Sequence, residues 1–152
     1  MGQGCGKIPD SKDTSHIRSS NGFGTKLQGD IGEQVAAQVA TNQLNLNAEY
    51  FDPPHNGFDG VYRDSYSKLV IIEAKLTTGG MSSLGQTSHG RQGSVEWIQN
   101  NAEKMCDPLS PQWSQDNAKI GEEILRVGAE NVHMIVIHTN PGTLETSVHN
   151  IR

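Results

Sequence analysis

The chain has 152 residues, with 12 Lys and Arg against 17 Asp and Glu, a formal charge of −5 and 34% hydrophobic residues. This length supports one domain with a genuine core rather than two, and the acidic balance argues against non-specific binding to polyanions while leaving room for a local basic groove. No apolar run is long enough to cross a bilayer, and the N-terminus lacks the apolar core of a signal peptide, so no membrane association is expected.

The two cysteines, Cys5 and Cys106, have no metal-like spacing and read as ordinary free thiols. The start MGQGCG lacks the Ser or Thr of a myristoylation signal. Residues 1–27 are rich in Gly, Ser, Lys and Asp and read as a polar flexible arm or linker, leaving residues 28–152 as a single domain.

Ordered structure is expected from Gly29 and Asp30. Asp30 and Glu33 have capping-box spacing, and Ile31, Val35 and Val39 recur at helical intervals. Glu33, Ala36, Ala37 and Ala40 form another side of that helix, narrow enough to approach a sheet closely. Residues 48–51 read as a short strand, followed by the turn Pro53-Pro54-His55-Asn56-Gly57. A second strand is expected over 58–62, a polar turn over 63–68 and a third strand over 69–76. The unbroken run Leu69-Val70-Ile71-Ile72 marks that strand as buried on both faces and therefore central.

Residues 77–91, rich in Gly and Ser, read as a long loop. A helix over 92–105 places Val95, Ile98, Ala102 and Met105 on one side, with Ser94 as N-cap. Asp116 is the expected cap of a further helix ended by Gly128. Residues 132–138 form a last apolar strand, and the tail has room for one more. The fold class is α/β with a mixed sheet and helices on its faces.

The apolar third strand ends in Glu73-Ala74-Lys75. Alternate residues of a strand share a face, so Glu73 and Lys75 point the way of Leu69 and Ile71. A neighbouring second strand brings Asp59 to the same end of the sheet. Converging carboxylates repel unless a cation lies between them, and hard ions such as Mg²⁺ or Mn²⁺ take oxygen ligands of this kind. The carbonyl of Ala74 offers a third oxygen. A lysine beside such an ion positions a nucleophilic water or presents a fixed charge to a phosphate. The plain alternative is a solvated ion pair at a strand end, and Glu33 is equally explained by helix capping.

With Asp59, Glu73-Ala74-Lys75 and this order of elements on the page, the chain resembles the PD-(D/E)XK nuclease superfamily over residues 29–138. That family has the restriction-endonuclease-like core of helix, three strands, helix and strand (αβββαβ). The resemblance implies a metal-dependent endonuclease that hydrolyses phosphodiester bonds. It assigns the first-helix acid to Glu33, the second-strand acid to Asp59 and the third-strand acid and lysine to Glu73 and Lys75. Asp59, Glu73 and Ala74 would hold Mg²⁺ or Mn²⁺, with Zn²⁺ as a further candidate. Gln92 matches the polar residue that many members draw from the next helix, and His89 and Arg91 are candidates for phosphate contact. Phe58 stands where the family name has proline. His89 also reads as an ordinary loop histidine.

The stretch RQGSVEWI is similar to C-terminal nuclease modules of bacterial polymorphic toxins, such as contact-dependent growth inhibition effectors. That likeness, with the polar arm and the lack of a signal peptide, implies a toxin module neutralised by a cognate immunity protein, and the superfamily resemblance implies DNA as its substrate. The module would be released from a larger secreted or surface-exposed bacterial protein and act in the target-cell cytoplasm. Trp97 reads alternatively as a packing residue. A tRNA-cleaving enzyme of the same fold and a non-catalytic binding domain are the competing functions.

Overall fold

The computed structural model describes residues 21–53, 57–78, 86–87 and 90–152. Cys5, His89 and the arm over residues 1–20 lie outside the described residues. The elements in chain order are α1 (Asn21–Gln38), continued by a π-helical turn (Val39–Gln43), then β1 (Asn47–Ala48), β2 (Gly60–Arg63) and β3 (Leu69–Leu76). There follow β4 (Gln86–Thr87), β5 (Gly90–Arg91), α2 (Val95–Cys106), α3 (Gln115–Val127), β6 (His133–Thr139) and β7 (Thr146–Asn150). The class is mixed α/β, as expected.

Five strands form one sheet in the order β1-β2-β3-β6-β7. β1, β2 and β3 run antiparallel to one another. β6 then pairs parallel with β3, and β7 returns antiparallel on β6. The parallel β3–β6 pair requires a crossover, which α2 and α3 supply. β3 is the central strand that its apolar run predicted, with all of Leu69 to Glu73 buried.

The sheet separates two cores. On one face Leu69, Ile71, Val61, Met134 and Val136 pack against Trp97, Ile98 and Met105 of α2 and Ile120 and Ile124 of α3. On the other, Val70, Ile72, Tyr62 and Ile137 pack against Ala36, Val39 and Ala40 of the first helix. The small alanine face allows that close approach. Gly32 comes closer still: a Cβ there would lie 3.2 Å from Cβ of Leu76.

Three expectations need correction. The first helix starts at Asn21 rather than near Asp30, so residues 21–27 are helical and Asp30 and Glu33 lie inside the helix rather than in a capping box. Gly22, Gly24 and Gly29 each disfavour a helix by about 1 kcal/mol. Extending an existing helix nevertheless gains one hydrogen bond per residue without a new nucleus. The region after β3 is not all loop, because β4 and β5 pair as a small antiparallel hairpin. The α3 cap is Ser114, whose Oγ accepts from the N–H of Asn117 at 3.0 Å, and Asp116 sits in the first turn. Ser94 does cap α2, accepting from the N–H of Trp97 at 3.0 Å, and Gly128 ends α3 at φ 94°.

Side-chain ties reinforce the edges. The Arg63 guanidinium donates to both carboxylate oxygens of Glu123 at 3.0 and 2.8 Å and to Glu49 at 3.0 Å, joining β2 to α3. Asn117, buried at the start of α3, accepts from the N–H of Asp52 at 2.7 Å. It also donates to the carbonyls of Asp52 and Gln112 at 2.8 and 2.9 Å.

Candidate active site

β3 carries the site on a rigid stem. Its burial ends at Glu73, which is only 2% exposed, and Ala74, Lys75 and Leu76 are half-buried. Strand alternation keeps Glu73 and Lys75 on the face of Leu69 and Ile71, the face covered by α2 and α3.

Asp59 reaches this place through its neighbour. Phe58 is buried and meets Trp97 edge to face, with ring centroids 5.3 Å apart, which anchors the chain just before Asp59. Trp97 is thus a core residue, the plain alternative noted above. The last β2–β3 pair is Gly60 opposite Ile72. Beyond it the ladder gives way to side chains. The N–H of Asp59 donates to Oε2 of Glu73 at 2.8 Å, and the N–H of Ala74 donates to Oδ2 of Asp59 at 2.9 Å.

Gln92 completes the shell by donating from Nε2 to Oε1 of Glu73 at 2.9 Å. Its position follows from the two glycines beside it. Gly90 and Gly93 take φ values of 110° and 90°, conformations that side-chain-bearing residues rarely adopt, and fold the chain sharply into α2. Gln92, which the family resemblance singled out, thus reaches the Glu73 carboxylate directly.

Burial first, and then the charge of Asp59, hold the Glu73 carboxyl well above the usual carboxylate range. Burial also raises Asp59, against the N–H of Ala74 and the charge of Lys75. Both carboxyls of the pair are therefore raised, chiefly by burial. Ionising both members of such a pair is less favourable than ionising two isolated carboxylates.

The remaining candidates divide. Glu33 is exposed on α1 and lines, with Asp59, Ala36, Ala74 and Tyr62, a shallow cleft on the α1 side. Arg91 is exposed on β5, next to Gln92 in sequence. His138 is the residue that sequence reasoning missed. It stands opposite Lys75 in the parallel β3–β6 register, and so on the same face as Glu73 and Lys75. Its Nε2 lies 2.8 Å from the carbonyl of Thr77 and 3.1 Å from Oγ1 of Thr77.

Among the described residues no three His, Cys, Asp or Glu side chains gather as a metal-ligand group. A cation here would rest on Asp59 and Glu73, with Ala74 and water supplying further oxygens. That donor set fits Mg²⁺ or Mn²⁺, since Mg²⁺ characteristically takes one or two carboxylates and keeps several waters. Zn²⁺, which favours three or four protein ligands, fits it less well.

No protein-family model matches the chain, and neither a curated protein nor a solved structure matches it.

Proposed function

We propose that the protein is a metal-dependent endonuclease with a restriction-endonuclease-like core, acting on DNA. The observation that carries this reading is the crossed arrangement of Asp59 and Glu73 at the end of the central strand, with Gln92 behind it and Lys75 one strand repeat further on. The meander of β1, β2 and β3 followed by a helical crossover to a parallel β6 supports the same core.

Each side chain has a distinct part. Asp59 and Glu73 hold the cation, which when bound supplies positive charge to the phosphate and acidifies a water. Gln92 orients Glu73 and favours its charged form. Lys75, held on a rigid strand, presents its ammonium to the phosphate oxygens as negative charge grows in the transition state. Glu33 and Arg91 are the outlying members, the first at the α1 cleft and the second as a phosphate contact.

The toxin part of the reading rests on RQGSVEWI, of which Gln92 serves the site. In that setting the domain is the C-terminal part of a larger secreted or surface-exposed bacterial protein and acts in the cytoplasm of a target cell. A cognate immunity protein would cover the groove at Asp59, Glu73 and Lys75 with carboxylates of its own, because that groove is built to attract phosphate.

The test sets supercoiled plasmid against purified tRNA, each with Mg²⁺ or Mn²⁺. Nicking or linearisation of plasmid, lost in Glu73→Gln, is the expected result. Cleavage of tRNA at a defined position with plasmid untouched would replace DNA by RNA. Cleavage of neither would leave a binding domain.

A further inference from the structure

The pairing of β3, β6 and β7 sets a polar line across the sheet beyond the carboxyl pair. Lys75 stands opposite His138, and His138 stands opposite Ser147. Residues in register share a face, so these three lie side by side on the face that carries Glu73. His149, two residues along β7, shares that face, and its Nε2 is 2.7 Å from Oγ of Ser147. Below this line the same face is apolar, with Val136 and Met134 sealed in the core, so the change from core to polar groups is abrupt.

These residues are accessible where they need to be. Lys75, His138 and His149 are half-buried, and Ser147 is exposed on the last strand of the sheet. The Thr77 carbonyl at 2.8 Å fixes Nε2 of His138 as a donor and holds the ring in place. None of the four carries a negative charge. Each carries a hydrogen-bonding group of a kind that contacts phosphate.

We propose that Lys75, His138, Ser147 and His149 form a track for the phosphate backbone of DNA, running from the carboxyl pair across β6 to the edge strand β7. This rests on the nuclease reading above and adds the direction in which the substrate leaves the site. Across three strands at about 4.8 Å spacing the line is about 10 Å long. At a rise of about 3.4 Å per nucleotide along one strand, it accommodates two to three phosphates. Contacts of this type position a substrate without reading its sequence.

The experiment uses opposite faces of β7. Ser147 lies on the track, whereas Val148, also exposed, points to the other side of the sheet. Ser147→Glu, Ser147→Lys, Val148→Glu and Val148→Lys are compared in binding a short fluorescein-labelled DNA duplex, by anisotropy in excess EDTA at fixed low salt. Ser147→Glu should weaken binding about fivefold and Ser147→Lys should tighten it about fivefold, with both Val148 variants within about twofold of the parent. Equal responses on the two faces, no response at Ser147, or no binding by the parent would each overturn the track. Plasmid cleavage with Mn²⁺, run alongside, separates the two readings. Cleavage with an indifferent Ser147 removes the track and keeps the nuclease, whereas face-dependent binding without cleavage keeps the track and removes the nuclease.

Discussion

Asp59 and Glu73 hold each other through the backbone as much as through their carboxyls. Asp59 gives its N–H to Glu73 and takes the N–H of Ala74, the residue after Glu73. The result continues the β2–β3 ladder by one rung made of side chains. It places two acids together at the limit of the core, where burial is nearly complete for Glu73. Two ionised carboxylates in that position are costly, which raises both carboxyls.

This arrangement has a pH signature. Both carboxyls are raised, so between the ordinary carboxylate range and their folded-state values the native chain binds more protons than the unfolded chain. Their contribution to stability therefore falls as pH rises through that window. In EDTA the protein should melt higher at pH 5 than this pair allows at pH 8, and Glu73→Gln should remove the loss. At pH 8 that variant should gain about 3 °C in Tm. Mn²⁺ should raise the Tm of the parent and leave that of the variant unchanged. Calorimetry at both pH values measures all of these.

Glu123 supplies a contrast at the acid end. Its hydrogen bonds to Arg63 lower its carboxyl, so its contribution is present above the ordinary carboxylate range and is lost as pH falls through the lowered value. Glu123→Gln should cost about 1 kcal/mol at pH 7 and nothing near pH 2, as read from urea unfolding midpoints.

In the proposed nuclease, Lys75 is expected to act on the transition state more than on the bound substrate. Lys75→Ala should lower the single-turnover cleavage rate about 100-fold and change duplex affinity by no more than about threefold. Rate and affinity falling together would leave Lys75 as a contact of the phosphate track alone, with no part in the chemical step.

Gln92 donates to Glu73 and favours its charged form, which in the proposed nuclease makes it a positioning residue. Gln92→Leu should lower the rate about tenfold at neutral pH and move the acidic limb of the pH–rate profile upward, because Glu73 then holds its proton more tightly. Gln92→Glu should not rescue it, since a third acid would raise Glu73 further. A lowered rate with an unmoved profile would indicate loss of structure alone.

The α2–α3 pair underneath the site depends on Gly121. A Cβ there would lie 2.6 Å from the carbonyl oxygen of Ala102 and 2.7 Å from Sγ of Cys106. Gly121→Ala should destabilise the protein by about 2 kcal/mol, even though alanine favours a helix over glycine by about 1 kcal/mol. An increase in Tm would show that the helices can separate without cost.

The legible parts of this chain were those with strong local signals. β3 was bounded correctly because its apolar run stops at charged residues, and Ser94 and Gly128 punctuated their helices by cap chemistry. Gln92 came from the family resemblance rather than from a local signal, and it lies ahead of α2 rather than within it. The start of α1 was hidden by three glycines and a polar sequence, whose cost is met by propagation from the rest of the helix. β4 and β5 pair over two residues each, too short for any alternation to be visible. His138 had no local signal at all. A histidine at the end of an apolar strand becomes part of the site only when β6 lies parallel to β3 in one register, and that pairing spans about sixty residues of chain.

The central claim, that Asp59 and Glu73 form the cation-binding pair of a nuclease, is tested most directly by single-turnover cleavage of supercoiled plasmid. The parent, Asp59→Asn and Glu73→Gln are measured with Mg²⁺, with Mn²⁺ and with excess EDTA. The parent should cut with either ion and stop in EDTA, and both variants should lose at least about 1000-fold in rate while keeping a cooperative thermal transition. Full cleavage by the parent in EDTA, or by either folded variant with metal, would contradict the account.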